Sequence, residues 1–352
     1  MEEKKKTARE IIEGYDGPPV RIMEVCGTHT HEIFILGIRK LLPEQVELIS
    51  VPGCPVCVTQ VGFIDEAIYL ALERQVTICT FGDLVRVPGT NMSLAGAREK
   101  GAKIRIVYSP VDAKEYAKEH PKEQVTFLSV GFETTTPSAC LSVKKAREEG
   151  LTNYSILTAN KTMPQAYEAL KGSADIFLYP GHVNAITGTK LCEELAKEGV
   201  SGVVAGFTAK ELLTALAVAL ARFQEGRPFF VNCYPRVVTE NGSPQAQKLV
   251  EEMMEPCDSE WRGLGVIKGS GMRLQEEWSA FDARKKYKIP PIQGKANPAC
   301  RCGDVLQGKC KPSDCKVFGK VCTPQHPVGA CMVSGEGACS AYYMYGEAEK
   351  MK

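Results

Sequence analysis

The sequence predicts an α/β protein with two tandem doubly wound parallel-sheet domains and a smaller, cysteine-rich C-terminal domain. Three observations predict this class. Four apolar strand segments alternate with helical segments before residue 109, and a second unit repeats that alternation from about residue 124. From about residue 227 the chain becomes richer in Pro, Gly and Cys, and the alternation stops. The expected domains are 1–122, 123–208 and 209–352.

The first domain opens with a short helix over about residues 5–13. Strand segments then alternate with segments of helical spacing, and Pro43 ends the first long helix because proline cannot continue it. Such alternation favours a parallel sheet covered by helices on both faces. The expected strands are 20–25, 46–51, 76–81 and 103–108, and the expected helices are 31–42, 60–73 and 91–100.

The second domain follows the same pattern, and the third departs from it. An isolated helix over about 244–254 and chain breaks at 269–271 and 290–291 mark the third domain. The expected strands of the second domain are 124–130, 153–158, 174–179 and 202–205, with helices over 137–149, from Pro164 onward, and over 209–224.

Composition excludes several classes of function. The formal net charge is +1, and basic residues are interleaved with acidic ones, which disfavours nucleic-acid binding. The charged N-terminal segment and the lack of about 18 consecutive apolar residues predict neither a signal peptide nor a membrane span. We therefore expect a cytoplasmic protein. In a reducing compartment its fifteen cysteines favour metal binding or redox chemistry over a disulfide framework.

Seven of those cysteines lie between Cys300 and Cys339. Gly, Pro, Lys and small polar residues fill the intervals, so this segment cannot order itself by apolar packing and needs cross-links. Disulfides, a tetrahedral zinc and an iron–sulfur cluster are the available kinds. The spacing C-x6-C-x8-C-x7-C, with each cysteine alone on its loop, favours an iron–sulfur cluster over zinc, and zinc over disulfides. The cysteines with this spacing are Cys315, Cys322, Cys331 and Cys339.

The unusual loops of both α/β units follow strands. In open α/β sheets, binding sites form where the carboxyl ends of strands meet helix N-termini. The sequence therefore predicts one crevice, or two facing crevices. The residues expected to line it are Cys26, Cys54, Cys57, Glu133, His182 and Thr208.

The segment Cys54-Pro-Val-Cys57 is a C-x-x-C at the start of a helix. A thiol in this position has a lowered pKa and readily forms a reversible disulfide. The alternatives are a zinc knuckle or two buried thiols. The single C-x-x-C with an internal proline favours a redox pair, although the surrounding thioredoxin pattern is absent.

Cys26 is a lone cysteine at a strand end, with His29 near it in sequence as a base or as a packed structural residue. The pattern leaves a functional and a structural role for Cys26 equally open. No G-x-S-x-G and no orienting Asn or Asp accompany it, so a thiol hydrolase is a weak competitor.

Two further loops have both a functional and a structural interpretation. Residues 131–137, Gly-Phe-Glu-Thr-Thr-Thr-Pro, suit anion binding, but Thr136 as N-cap with Pro137 at N1 is also ordinary helix capping. Residues 180–183, Pro-Gly-His-Val, suit a tight turn. No phosphate-binding or dinucleotide-binding motif occurs, so neither ATP nor NAD is indicated. The remaining cysteines are expected to be small core residues: Cys79, Cys140, Cys192, Cys233 and Cys257.

Taken together, the motifs at 26–30, 52–57, 131–137, 180–183 and 322–339 resemble the HypD family of [NiFe]-hydrogenase maturation proteins. The resemblance covers about residues 20–345. It implies two tandem α/β domains and an iron–sulfur domain with a [4Fe–4S] cluster. It also implies a scaffold on which, with HypC and with HypE as cyanide donor, the Fe(CN)2CO group for the hydrogenase large subunit is assembled, and a thiol relay similar to ferredoxin–thioredoxin reductase.

The resemblance also assigns residues. Cys26 is the expected iron anchor, and Cys54 and Cys57 are the redox pair. From the strand-end loops, and not from the resemblance, His29, Glu133 and His182 are expected in the crevice. The expected cluster ligands are Cys315, Cys322, Cys331 and Cys339, with Cys302 as a fifth candidate, while Cys300 and Cys310 receive no role.

Two further hypotheses are open at this stage. A stand-alone, ferredoxin-dependent disulfide reductase uses the cluster and the C-x-x-C pair but has no need of Cys26. A zinc-stabilised α/β binding protein has no redox role at all, and a visible absorption spectrum distinguishes it from an iron–sulfur protein.

Overall fold

The computed structural model describes residues 6–50 and 53–346. Its strands form two parallel sheets and one antiparallel hairpin. The strands are β1 (Val20–Glu24), β2 (Val46–Ser50), β3 (Thr77–Thr80), β4 (Ile104–Ile106), β5 (Val125–Gly131), β6 (Tyr154–Asn160), β7 (Ile176–Pro180), β8 (Ser201–Ala205), β9 (Phe230–Asn232), β10 (Met254–Trp261) and β11 (Gly265–Leu274).

The helices cover both faces of the parallel sheets. They are α1 (Ala8–Glu13), α2 (Gly27–Ile35), α3 (Pro55–Val58), α4 (Val61–Glu73), α5 (Leu94–Glu99), α6 (Pro110–Glu119), α7 (Thr136–Glu148), α8 (Met163–Ala169), α9 (Gly181–Thr187), α10 (Lys190–Lys197), α11 (Ala209–Phe223), α12 (Pro244–Met253), α13 (Ala283–Tyr287), α14 (Cys302–Leu306) and α15 (Ala338–Tyr345). Short 3-10 helices occupy Ile38–Leu41, Gly82–Arg86, Glu276–Phe281, Pro312–Asp314 and Ala330–Met332.

The two parallel sheets expected from the sequence are confirmed, but the chain is divided between them differently. The first sheet has the order β2-β1-β7-β8-β9 and the second β4-β3-β5-β6. The chain leaves the first sheet after β2, builds the whole second sheet and then returns. The expected boundary at 122/123 therefore falls inside the second sheet. Local periodicity identifies a strand but not its neighbours, and β1 bonds to β2 on one edge and to β7 on the other.

The boundary expected at 208/209 is also displaced. Helix α11 packs against α1 and β8, and β9 pairs with β8, so both belong to the first sheet. The hairpin forms an antiparallel sheet of its own, and single β-bridges connect it and the segment after it to β6 and to the residue that follows β6. The hairpin packs against α8 and β6, and it is therefore in contact with both parts of the α/β body.

The two faces of the first sheet have different surroundings. Ile22 and Leu178 face an apolar cluster with α1 and α11, whereas Met23 and Tyr179 face the opposite side. The cluster on that opposite side includes residues of α8 and five buried cysteines from separate parts of the chain. These are Cys54, Cys57, Cys192, Cys302 and Cys331. This face of the sheet thus carries the thiol chemistry.

Some element ends differ from those expected. Helix α2 begins at Gly27 rather than at residue 31, and it ends near Gly37, whose φ of +64° favours glycine. Strand β2 is described through Ser50, and residues 51 and 52 lie outside the described residues, as does residue 5 of the expected first helix. Among the described residues, no helix is both long and apolar enough to cross a membrane.

Candidate thiol and metal site

Cys26 lies at the junction between β1 and α2, where it is the N-cap residue. The N–H of Gly27 donates to the carbonyl of Gly53 at 3.0 Å. A Cβ atom on Gly53 would lie 2.3 Å from the N and Cα atoms of Cys26, so only glycine permits this approach. Because Gly53 immediately precedes Cys54, the loop of Cys26 and the C-x-x-C segment are in direct backbone contact.

Cys54 and Cys57 form a disulfide, as expected for a redox pair, with Cα atoms 5.3 Å apart. Cys54 is the N-cap of α3, Pro55 occupies the first turn, and the Cys54 Sγ accepts a hydrogen bond from the Cys57 N–H at 3.2 Å. Both cysteines are buried. Helix α3 contacts β5 and the 3-10 helix Ala330–Met332, so the pair lies between the second sheet and the C-terminal segment.

A buried carboxylate anchors the first turns of α2. Glu24, fully buried at the end of β1, accepts hydrogen bonds from Thr30 at 2.7 Å and Ser50 at 2.8 Å and pairs with Arg39 at 2.6 Å. The Arg39 guanidinium also lies over the rings of Phe34 and, in the C-terminal helix α15, Tyr342. A buried charge with a full set of partners fixes geometry, and here it fixes α2 against both β2 and α15.

Glu336 connects the C-terminal segment to the turn after Cys26. The Thr28 hydroxyl donates to Glu336 Oε1 at 2.6 Å. A Cβ atom on Gly27 would lie 2.7 Å from both the Cβ and the carbonyl oxygen of Glu336. Burial raises the pKa of the Cys26 thiol to about 12, and the charge of Glu336 adds to this against the N–H groups of His29 and Thr28. In this arrangement Cys26 is protonated at neutral pH.

The rings of His29 and His182 both pack against the ring of Phe207. Their ring centroids are 4.8 Å and 5.0 Å from that of Phe207. His29 Nε2 lies 3.0 Å from the Gly206 carbonyl, so Nε2 carries the proton, and Nδ1 has no partner among the described residues. Burial lowers the pKa of His29 to about 3 and that of His182 to about 4, so both rings are neutral. The His29 ring does not hydrogen-bond the Cys26 thiol, contrary to one expected role.

Glu133 belongs to the loop between β5 and α7, and its side chain reaches the start of α8. There its Oε1 accepts a hydrogen bond from the Met163 N–H at 2.7 Å. Its Oε2 is shielded from solvent and has no partner among the described residues. Burial raises the pKa of this carboxyl to about 7, against the opposing hydrogen bond from Met163. Tyr167, one turn after Met163 in α8, was not among the residues expected at this site. Burial raises its pKa, and the nearby Glu133 and Cys26 side chains contribute to this.

The two loops with open interpretations act as helix starts. Thr135 is the N-cap of α7, one residue before the expected Thr136, and α9 begins directly at Gly181 instead of following a turn. Thr208 forms a capping box with Glu211 at the start of α11. Thr208 is therefore engaged in capping.

Six cysteines surround one small cavity in the C-terminal segment. They are Cys300, Cys302, Cys315, Cys322, Cys331 and Cys339. All four expected ligands and the alternative, Cys302, are thus brought together. Cys300, which was given no role, joins them, and only its C-x-C spacing with Cys302 could have indicated this. Cys310 does not line the cavity.

The thiols of this cavity are crowded. The Sγ atoms of Cys302 and Cys331 share a hydrogen bond at 2.8 Å, and Cys322 Sγ accepts the N–H of Val328 at 3.3 Å. Hydrogen bonds with Cys300 and Cys331, aided by the charge of Arg262, hold the pKa of Cys302 well below its usual value. The same contacts raise the pKa values of Cys300 and Cys331.

The donor set suits a soft metal or an iron–sulfur cluster, because every candidate ligand is a thiol. Two thiolates on one tetrahedral zinc, with bonds of about 2.3 Å, are about 3.8 Å apart. The Cys302–Cys331 distance is shorter, and no group of three or more potential ligands among the described residues is arranged to hold a metal ion as it stands. Binding of one metal ion by both of these sulfur atoms therefore requires them to move apart.

Residues missed by the sequence analysis connect the predicted groups. Glu336 is the only acidic residue in the sequence between Cys322 and Cys339, and this isolated position could have indicated a specific contact. Tyr167 and Arg262 carried no signal, because each acquires its position from the tertiary fold.

Comparison with known proteins identifies the family. A model of the HypD family, described as "Hydrogenase formation hypA family", matches residues 2–346. The "Hydrogenase maturation factor HypD" of Rhizobium leguminosarum bv. viciae is 43% identical over 97% of this chain and 92% of its own length. The protein of that name from Escherichia coli (strain K12) is 43% identical over 94% of this chain and 90% of its own length, and that from Cupriavidus necator is 41% identical over 95% and 92%. This chain therefore belongs to the HypD family.

Proposed function

We propose that this protein is a hydrogenase maturation factor that holds iron at Cys26 while cyanide and carbon monoxide are attached. HypC and HypE are its proposed partners, and the hydrogenase large subunit is the destination of the iron. Membership of the HypD family supports the maturation role. The observation that carries the proposal is the convergence of three thiol groups: Cys26 packs on Gly53 beside the disulfide, and Glu336 of the C-terminal cysteine segment bonds to the turn after Cys26.

The iron is cargo, and Cys26 is its proposed anchor. A thiol with a pKa of about 12 binds a metal by exchanging its proton for the cation, so one proton is released and the buried sulfur keeps a positive partner. A thiolate is a soft ligand that suits low-spin Fe(II) carrying strong-field ligands. In this proposal HypC supplies a second thiolate.

The proposed resident cofactor is a [4Fe–4S] cluster held by Cys315, Cys322, Cys331 and Cys339, with Cys302 as the alternative ligand. When bound, such a cluster supplies electrons one at a time. The Cys54–Cys57 disulfide takes up two electrons and two protons to become two thiols. Its burial in the same apolar cluster as Cys302 and Cys331 supports an exchange from which water is excluded.

The crevice residues have two proposed roles. His29 and His182 are neutral polar groups, and Glu133 holds a proton. His29 and His182 remain uncharged at neutral pH, so they add no electrostatic field that would oppose an incoming cation. Glu133, with a pKa of about 7, changes its protonation near neutral pH. It is the group in this crevice best suited to hold and release the protons that thiol chemistry consumes.

The alternative function is a ferredoxin-dependent disulfide reductase acting on other proteins. Such an enzyme must bring Cys54 or Cys57 to a substrate disulfide, because exchange proceeds through direct attack of a thiolate on sulfur. Only 3% of the Cys54 surface and 1% of the Cys57 surface are exposed. Burial favours electron exchange inside the protein, which supports the scaffold over the reductase.

Infrared spectroscopy of the anaerobically purified complex with HypC tests the proposal, since bound cyanide and carbon monoxide absorb where proteins do not. We expect both bands in the wild-type complex and their loss in Cys26→Ala. Cys233→Ala is the control, because Cys233 is a free cysteine that packs on the opposite face of the first sheet. Bands of wild-type intensity in Cys26→Ala would rule out Cys26 as the anchor, and with it this mechanism.

A further inference from the structure

The tip of the β10–β11 hairpin lies between the redox helix α3 and the first cysteines of the C-terminal segment. On one side, a Cβ atom on Gly263 would lie 2.5 Å from the carbonyl oxygen of Gly303, directly after Cys302. Gln307 of the same segment donates to the Gly263 carbonyl at 2.5 Å. On the other side, Arg262 reaches α3. The hairpin tip thus connects helix α3, which carries the Cys54–Cys57 pair, to the C-terminal cysteine segment.

Arg262 donates to three consecutive carbonyl groups. Its backbone N–H bonds to Val58 at 2.8 Å, its Nε to Cys57 at 3.0 Å and its Nη2 to Thr59 at 2.7 Å. These carbonyls lie at the end of α3, where helical carbonyl groups have no intrahelical donor. A cation in this position is favourable. Arg262 therefore fixes the end of α3, the helix that carries Cys57, through both its backbone and its side chain.

The charge of Arg262 has no carboxylate partner in the described part of the chain. No ion pair to this guanidinium occurs among the described residues, whereas Arg273 of the same hairpin pairs with Glu255 at 2.7 Å. Its hydrogen-bond partners are backbone carbonyls, one of them that of Cys57, and the guanidinium is half-buried. Such a charge acts on nearby thiols, Cys302 among them, more strongly than an exposed surface charge, because less solvent screens it.

We propose that Arg262 is a positioning residue that sets the reduction potential of the Cys54–Cys57 pair. The proposal rests on the redox role proposed above. Reduction of the disulfide by a dithiol or iron–sulfur donor consumes two electrons and two protons and breaks the S–S bond. Of the two thiols formed, the more acidic ionises in part, and a half-buried cation nearby stabilises that thiolate. Arg262 therefore favours the reduced pair and raises its potential.

The planar guanidinium suits this task better than an ammonium group. Its fork reaches the carbonyls of Cys57 and Thr59 together, whereas a lysine places one point charge on one partner. Arg262→Lys thus retains the charge and loses part of the fixed geometry. Arg262→Met retains the stem and loses both, which separates the contribution of charge from that of the hydrogen bonds.

The test measures the potential of the pair in the full-length protein. Wild type, Arg262→Met, Arg262→Lys and the control Arg273→Met are equilibrated in dithiothreitol buffers of graded oxidation. Free thiols are then trapped with a maleimide, and the peptide with Cys54 and Cys57 is quantified by mass spectrometry. We expect a shift of about tenfold toward the disulfide in Arg262→Met, or about 30 mV for a two-electron couple. Arg262→Lys is expected to shift about threefold and Arg273→Met not at all.

The outcomes separate this proposal from the one it rests on. A wild-type pair that shows no reversible titration would refute the redox role itself. A reversible wild-type pair with an unchanged potential in either folded Arg262 variant, or an equal shift in Arg273→Met, would overturn the role of Arg262 alone. Circular dichroism establishes which variants are folded, and Arg262→Lys decides the question if Arg262→Met is not.

Discussion

Thr28 and Glu336 lie 308 residues apart in the sequence, and the hydroxyl of the first donates to the carboxylate of the second at 2.6 Å. The contact closes the C-terminal cysteine segment over the turn that begins α2. Together with the approach of Gly53 from the other side, it leaves only 1% of Cys26 exposed. The Thr28–Glu336 hydrogen bond is thus one of two contacts that restrict access to the proposed iron anchor.

Thr28→Val is expected to loosen this closure. The variant preserves the side-chain shape but leaves the Glu336 carboxylate without its donor, at a cost of about 1–3 kcal/mol in the free energy of unfolding. We expect faster alkylation of Cys26 by iodoacetamide, followed by peptide mass spectrometry. Thr152→Val, at an exposed position, is the control. Equal alkylation rates in wild type and Thr28→Val would show that Glu336 does not control access to Cys26.

Gly53→Ala is expected to disrupt the contact between Cys26 and the C-x-x-C segment. The new Cβ atom would lie 2.3 Å from backbone atoms of Cys26, which cannot move as a flexible side chain can. Overpacking of this kind costs about 1–3 kcal/mol, measurable by urea unfolding. The matched control is Gly335→Ala, because a Cβ atom there meets nothing within 4 Å. Similar losses in both variants would contradict the specific role of Gly53.

The sequence was informative where a feature depends on local chemistry. Strand segments, the C-x-x-C pair and the grouping of Cys315, Cys322, Cys331 and Cys339 follow from short patterns, and the structure brings each of them together as expected. The positions of Cys26 and Glu133 at strand ends likewise follow from the general geometry of parallel sheets.

Features that depend on long-range pairing were not predictable in this way. Nothing in the apolar pattern of β1 shows that its second neighbour is β7 and not a strand of the first unit. The same holds for His29, whose ring turns to Gly206, 177 residues away. Cys300 was left without a role because the spacing argument selected cysteines that are each alone on a loop. Cys300 and Cys302 are only two residues apart, and both line the cavity.

Glu133→Gln is expected to make stability less dependent on pH. The pKa of the Glu133 carboxyl is raised from 4.5 to about 7 in the folded protein, so the unfolded chain loses this proton first as pH rises. Glu133 therefore lowers stability progressively between about pH 4.5 and 7, by about 3 kcal/mol in all. Glutamine retains an acceptor for the Met163 N–H and cannot ionise.

Urea unfolding at pH 5 and pH 7.5 checks this prediction. We expect the difference between the two pH values to be smaller in Glu133→Gln than in wild type. Glu119→Gln, at an exposed position, is the control for a general effect of removing one acidic group. An identical pH dependence in Glu133→Gln and wild type would mean that this carboxyl ionises normally.

Cys322→Ala and Cys331→Ala are each expected to abolish the iron and sulfide content and to loosen the C-terminal segment. Both thiols line the cavity, and a bound cluster would cross-link the loops that carry them. Cys310→Ala is the matched control, since Cys310 lies in the same segment but outside the cavity. Iron and acid-labile sulfide assays with the visible absorption spectrum measure the outcome. Full cluster content in both variants would refute the ligand assignment.

Cys54→Ser and Cys57→Ser are expected to retain the cluster and to lose maturation activity. The two cysteines bond to each other and do not line the cavity of the C-terminal thiols, so neither is needed as a ligand. Serine is close in size to cysteine and cannot form a disulfide, so the variant removes the two-electron couple while α3 retains its capping geometry. The iron and sulfide assays are therefore expected to give wild-type values, while hydrogenase activity in a maturation assay is lost. Loss of the cluster in either variant would make that cysteine a ligand, and the interpretation of the C-x-x-C as a redox pair would then be wrong.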